Sequence, residues 1–398
     1  MNFSNKKIAK FFNYTLIVVF LVLISAPFIG TLYGMEEKIN NLDNSEKRTL
    51  AKKPEININN FDFGDYADEM ENFINDNFGF RSIMVRWNQL LHVKWLHTAP
   101  ITKWLAEKGE RIQSDVVIGK DGWYYYAKDR AMDDYRGLIQ LSEKQLEDMK
   151  VKLENNQRWL NELGIEMVVF IAPNKSSIYP EYIPDNYNKV GDQTRLDQFK
   201  DYMSVNSDVK LIDPRVRLLN AKKDNLLYNI TGTHWNEYGG FIAYGQLIEY
   251  LGNLFPVIEV PSLSDYNITI ETQGGKDLAI MMSIQDYVQE QFVKVRPKNG
   301  FQAVNDELLF DDPNPNYSMD LVAKKIDDEN LPKAVIFRDS FMNVVEPYLS
   351  EHFRRSSYVW TYDILPHVIE IEKPDIVIYE FVERNLEEAL LRFLTIVK

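Results

Sequence analysis

The chain has 398 residues, 45 Lys and Arg against 59 Asp and Glu for a formal charge of −14, and no cysteine. With 45% hydrophobic and 13% aromatic residues it is too apolar for a disordered chain, and long enough for one large core and a smaller second domain. The acidic balance argues against a general nucleic-acid binder, which needs clustered Lys and Arg to displace counterions. The lack of Cys excludes disulfides, thiolate nucleophiles and Cys-ligated metals.

Lys6, Lys7 and Lys10 precede a mostly apolar run from Tyr14 to Tyr33, and Glu36 and Glu37 follow it. About 20 such residues span the roughly 30 Å of a bilayer's hydrocarbon. The charge asymmetry predicts a signal anchor over 1–34, with the N-terminus in the cytoplasm and the bulk of the chain outside. A cleavable signal peptide and a buried core helix are the rival readings. The first lacks an A-x-A-like site here, and the second fits poorly with the polar stretch that follows. Residues 35–115 read as a polar linker and a helical segment. Phe73, Ile74, Phe78, Ile83, Val85, Trp87, Leu90 and Leu91 recur at helical spacing, with a break near Asn77–Gly79. That break is expected to be a helix-ending glycine followed by a packing Phe.

Residues 116–398 read as an α/β domain. Val116–Ile118 and Trp123–Tyr126 flank a Gly-bearing turn as two short strands. A helix is expected over 142–164, ending at Gly164. Continuous apolar runs follow at 167–172, 209–212, 334–337 and 375–379, with helical stretches at 195–204, 237–252 and 341–353 between them. Apolar runs bounded by turn residues are strands buried on both faces, and their alternation with helices predicts a mainly parallel sheet flanked by helices. Residues 255–332, with Pro297, Pro313 and Pro315, read as an irregular insertion.

In such a sheet, ligands sit at the carboxyl ends of the strands. Ser340, just past the strand 334–337, is the candidate nucleophile. The alternative is a plain helix cap. His234, in a Gly-containing loop ahead of the helix 237–252, is the candidate base, or a loop histidine bonded to backbone. Asn174 and Lys175 end the strand 167–172 and could reach an oxyanion or substrate, or form a plain turn. Arg384 follows the last strand. Trp123, Tyr124, Tyr125 and Trp235 could stack on sugar rings or simply pack. His92 and His97 fall in the helical segment, and His352 on an expected exposed helix face. No metal-ligand spacing, P-loop or dinucleotide fingerprint occurs, so neither a metal nor a cofactor is expected.

Several short segments together resemble the SGNH-hydrolase-like O-acetyltransferases of the alginate type (AlgJ/AlgX-like, with the DHHW proteins). They are SEKRTLAKKP (45–54), NFINDNFGFR (72–81), VVIGKDGWYYY (116–126), IAPNKSSIYPEYIP (171–184), GTHWNEYGG (232–240), FRDSF (337–341) and FVER (381–384). The resemblance implies an SGNH-like fold with His234 and Ser340 as catalytic base and nucleophile. Asn174, Lys175, Trp235, Arg338 and Arg384, read from their positions and chemistry, are the candidate oxyanion or substrate contacts. The family's catalytic Asp falls on Gly232, so another acid (Asp339, Asp213 or Asp224) or a backbone carbonyl would have to orient His234. Otherwise the site is a slow Ser–His dyad or a noncatalytic relative. The implied function is extracytoplasmic transfer of acetyl, through a serine acyl-enzyme, to hydroxyls of a cell-surface or exported polysaccharide. The acyl group would come from a membrane-bound O-acyltransferase partner. An impaired polysaccharide-binding scaffold and a secreted carbohydrate esterase are the alternatives.

Overall fold

The computed structural model describes residues 3–35, 51–55, 63–91, 115–310 and 321–395. Its chain divides into two compact units, residues 1–112 with 279–287, and 113–278 with 288–398.

In the first unit a 30-residue helix, Phe3–Leu32, contains the stretch Asn13–Thr31, long and apolar enough to cross a membrane. From Asn13 to Ser25 its side chains stand exposed, as in Leu16, Phe20 and Leu23. Such a surface suits lipid and fits a signal anchor. Two more helices, Phe63–Asn77 and Arg81–Leu91, flank the expected break. The left-handed residue there is Phe80 (φ 62°), not Gly79. Gly79 is required for a different reason: a Cβ on it would collide with the Pro27 carbonyl and the backbone of Gly30. Residues 51–55 are not wholly free linker. The Ala51 N–H donates to Asp76 and its carbonyl accepts from Asn77, at 2.8 and 2.9 Å. His92 and His97 lie outside the described residues.

Among the described residues the second unit holds eleven strands. In chain order they are β1 (Val116–Ile118), β2 (Tyr124–Tyr126), β3 (Glu166–Ala172), β4 (Leu211–Ile212), β5 (Tyr266–Gly274), β6 (Gln289–Pro297), β7 (Val304–Asn305), β8 (Val322–Lys325), β9 (Lys333–Arg338), β10 (Arg355–Trp360) and β11 (Ile376–Val382). Seven of them form one sheet in the order β4-β3-β11-β9-β10-β8-β7. β4 through β10 run parallel, while β8 and β7 close the edge antiparallel. The sheet is therefore mixed, with a parallel centre.

Register explains the continuous apolar runs. Val168, Ile378 and Ile336 align across β3, β11 and β9 and point to one face, while Val169, Tyr379 and Phe337 point to the other. The first face packs on the helix Glu237–Leu254 through Phe241, Tyr244, Leu247 and Leu251. The second packs on Glu143–Glu162 through Met149, Leu153 and Leu160, and on Arg195–Asn206 through Leu196, Phe199 and Met203. Helix 143–162 starts where its capping box dictates, at Ser142 with Gln145, and ends before Gly164 at φ +74°.

The segment 255–332 is not the irregular insertion expected from its prolines. It contributes β7 and β8 to the sheet and holds a nine-residue antiparallel pair, β5 with β6.

Candidate active site

β9, β3 and β11 are parallel neighbours, so their carboxyl ends deliver Ser340, Asn174 and Arg384 to one edge of the sheet. The turn bearing Ser340 is locked by Asp339. Its carboxylate accepts from the Phe341 and Val382 N–H groups at 2.8 Å each and from the Tyr362 hydroxyl at 3.0 Å. Asp339's own N–H donates to Glu380 at 2.9 Å. Burial, then the neighbouring Asp339 carboxylate, pushes Glu380 well above the usual carboxylate range. Asp339 therefore fixes the nucleophile's turn and does not orient His234. Asp213 is likewise excluded, being paired with Lys200 at 2.5 Å and Arg215 at 2.8 Å.

His234 sits on a loop held from several sides. The Asn229 N–H donates to the His234 carbonyl at 3.1 Å, and Tyr124 N–H to the Ile230 carbonyl at 3.0 Å. Glu290 on β6 accepts from the Ile230 and Thr231 N–H groups and the Thr231 hydroxyl. This geometry brings His234 Nε2 to 2.7 Å from Ser340 Oγ. The two residues read from sequence as nucleophile and base thus meet.

The other imidazole nitrogen meets a residue that the sequence reading missed. Nδ1 lies 2.9 Å from Thr233 Oγ1 and 3.5 Å from Asp277 Oδ2. Asp277 also accepts from the Thr233 N–H at 2.9 Å and from the Thr233 hydroxyl at 2.5 Å. Because the Thr233 proton is committed to the carboxylate, Thr233 Oγ1 can only accept from the ring. Nδ1 then carries the hydrogen, and Nε2 presents a lone pair to Ser340. Burial tends to raise the Asp277 carboxyl, but its bonds to His234 and Thr233 outweigh this and hold it well below the usual range. It is an ionised acid placed to stabilise an imidazolium.

Gly232 explains why the acid comes from elsewhere. A Cβ at this position would lie 2.6 Å from Asp277 Oδ1, 2.9 Å from Lys276 Cβ and 3.1 Å from Asn229 Cβ. The space that a side chain at 232 would need is occupied by the carboxylate following β5.

Four further expectations need correction. Lys175 is buried and its ammonium is spent on backbone, donating to the carbonyls of Asn229, Ile230 and Gly232 at 3.0, 2.9 and 2.5 Å, although the residue also borders the cavity at Asn174 and Arg384. Burial pulls this ammonium down to about 7, against the upward pull of Asp277 and Glu290. Lys175→Met is expected to take the ammonium donor away from three carbonyls that hold the His234 loop and to destabilise the fold by about 3 kcal/mol in denaturant unfolding. An effect below about 1 kcal/mol would deny Lys175 this role. Trp235 is buried and donates its indole N–H to the Phe341 carbonyl at 3.0 Å, bracing the Ser340 turn from behind. Arg338 is buried too, bonded to Asn343 at 2.7 Å and set over the Trp360 ring. Trp123, Tyr124 and Tyr125 are core residues as well. His352, expected on an exposed face, is bonded to the Tyr244 hydroxyl, and burial pulls its ring down to about 4.

Asn174 and Arg384 remain at the site. With Tyr126, Ser176 and Thr233 they line one small cavity. Arg384 lies over the rings of Tyr126 and Phe341, and Phe341 in turn packs against His234 with ring centres 4.6 Å apart. Glu383 sets Asn174 by accepting from its N–H at 2.7 Å.

A Ser–His pair at the carboxyl edge of a parallel sheet, with an acid behind the histidine, has the geometry that nucleophilic hydrolases and transferases use. The model of the family "SGNH hydrolase-like domain, acetyltransferase AlgX" matches residues 116–317, just over half of the chain, and the chain belongs to this family. The matched region contains His234 and Asp277 and ends before Ser340. Among named relatives, the "Probable alginate O-acetylase AlgJ" of Pseudomonas aeruginosa is 29% identical over 126 residues, 31% of this chain and 30% of that one. Its namesake in Pseudomonas syringae pv. tomato is 27% identical over 134 residues, 33% of this chain and 32% of that one. The likeness thus spans only about a third of these relatives. In fold the chain is similar to Bacillus cereus PatB1, with a TM-score of 0.51 at 15% identity, covering 68% of this chain and 96% of that one.

Proposed function

We propose that this chain is a polysaccharide O-acetyltransferase that carries acetyl on Ser340 and works outside the cytoplasm. The observation that supports this most is the 2.7 Å contact between Ser340 Oγ and His234 Nε2, with Asp277 and Thr233 fixing the ring behind it. His234 takes the Ser340 proton as Oγ attacks the acetyl carbonyl carbon, and the imidazolium then protonates the leaving group. The intermediate oxyanion would be met by the Ser340 N–H, which has no acceptor among the described residues, and by the Asn174 amide at the same edge. In the second half, a sugar hydroxyl gives its proton to His234 as it attacks the acetyl-serine, and the imidazolium returns that proton to Ser340 Oγ as the serine ester bond breaks. A polysaccharide acceptor is supported by the alginate O-acetylases named among the relatives. A membrane-bound O-acyltransferase as donor is supported by the apolar helix Asn13–Thr31, which would keep the domain beside it.

Gly232 favours the alternative of an impaired scaffold, and Asp277 behind His234 supports the catalytic reading over it. Incubation with p-nitrophenyl acetate is expected to leave an acetyl adduct on Ser340, detectable by mass spectrometry and absent from Ser340→Ala. With an oligosaccharide acceptor present, acetylated sugar should accumulate. A burst without an adduct on Ser340 would refute the acyl-enzyme. An adduct that is discharged only to water would make the protein an esterase.

A further inference from the structure

The helix Arg81–Leu91 carries a large apolar face that no part of the described chain covers. Ile83, Met84, Trp87 and Leu91 are 41, 42, 64 and 48% exposed. At about 100° per residue they fall, with Leu90, within one arc of roughly 120°. The helix has Arg81 and Arg86 and no acidic residue. Its start is also fixed relative to the apolar anchor helix. The turn at Phe78–Phe80 is tied to the end of that helix by the Gly79 N–H, which donates to Thr31 Oγ1 at 2.9 Å. Gly79 sits so close against Pro27 and Gly30 that even a methyl group would not fit. Thr31 is the last residue of the apolar stretch Asn13–Thr31. With Asn13–Thr31 across a membrane, helix 81–91 would begin at the level where hydrocarbon gives way to headgroups.

We infer that residues 81–91 form an interfacial helix, lying in the headgroup region of the same membrane with Ile83, Met84, Trp87 and Leu91 turned into lipid. The inference rests on reading Asn13–Thr31 as a membrane span. An apolar face containing Trp, on a cationic helix held at this depth, is the composition that the lipid–water boundary selects. A soluble partner or a second copy would also cover the face, but neither accounts for its attachment to the end of the span.

The absence of cysteine makes this directly testable on the full chain. Single substitutions Trp87→Cys, Val22→Cys within the span, and Val205→Cys on the exposed surface of the second unit are each labelled with an environment-sensitive dye. Each protein is reconstituted in vesicles of phosphatidylethanolamine and phosphatidylglycerol, with and without brominated acyl chains. The label at 87 is expected to blue-shift and to be quenched by the brominated lipid, as at 22 and unlike 205. Adding Met84→Glu and Leu91→Glu should abolish the quenching at 87 while leaving that at 22 intact. A label at 22 that is quenched beside a label at 87 as water-exposed as that at 205 overturns the interfacial helix and leaves the span standing. A label at 87 shielded equally in detergent and untouched by brominated lipid assigns the face to protein and also overturns it. No quenching at 22 removes the span itself, and the inference with it.

Discussion

Asp277→Asn is expected to lower the rate of acetyl transfer by about 10⁴, the loss that follows when a triad acid is replaced by its amide. The substitution preserves shape and removes the charge. It also exchanges an acceptor for a donor beside Thr233 and His234, so the Thr233 hydroxyl loses the partner that commits its proton. The ring can then settle with hydrogen on Nε2, a tautomer unable to take the Ser340 proton. Steady-state release of p-nitrophenol by wild type and variant measures the difference. A variant within tenfold of wild type would exclude Asp277 as the acid behind His234. Stability gives a second readout. The folded-state pKa of Asp277 lies below its unfolded value, so its contribution is present above about pH 4 and lost as pH falls further. The variant should lack that part of the acid-side decline in thermal stability.

What the sequence made legible is the set of features carried by local pattern. The runs that became β3, β9 and β11 are apolar on both faces because both faces are covered, and turns beyond two of them carry Ser340 and Arg384. His234 stood out through the Thr-Gly-Thr-His-Trp loop ahead of a well-defined helix. Features that depend on tertiary placement were hidden. Asp277 lies 43 positions after His234, in a stretch whose prolines suggested disorder of arrangement. Its only local mark is Gly274-Gly275 ahead of a short helix, a common turn signal. β10 was overlooked because Ser356 and Ser357 interrupt its apolar run, although both are fully buried. Trp235, Lys175 and Arg338 were read as substrate contacts because their chemistry suits sugars. Burial decides otherwise: each spends its polar atoms on the backbone or side chains that shape the site.

Gly232→Asp, which would restore the family's acid at its usual position, is expected to damage the site and not improve it. The added Cβ meets Asp277 Oδ1, Lys276 Cβ and Asn229 Cβ at 2.6, 2.9 and 3.1 Å, and two of these are atoms fixed close to the main chain. Relief requires the loop 229–234 to move away from the segment around Asp277. That movement pulls Thr233 from the carboxylate and His234 from Ser340, and a displacement near 1 Å at a reacting group costs about 10² in rate. A second carboxylate beside Asp277 adds like-charge repulsion, which favours protonation of one of the pair. The two causes separate with Gly232→Ala, which adds the Cβ without the charge. If crowding dominates, the alanine variant loses most of the rate that the aspartate variant loses, with turnover falling and acceptor affinity little changed. An alanine variant close to wild type beside an inactive aspartate variant would instead assign the damage to charge. Wild-type activity in both would show that the loop is free to move, and that the close fit between Gly232 and Asp277 does not hold His234 in place.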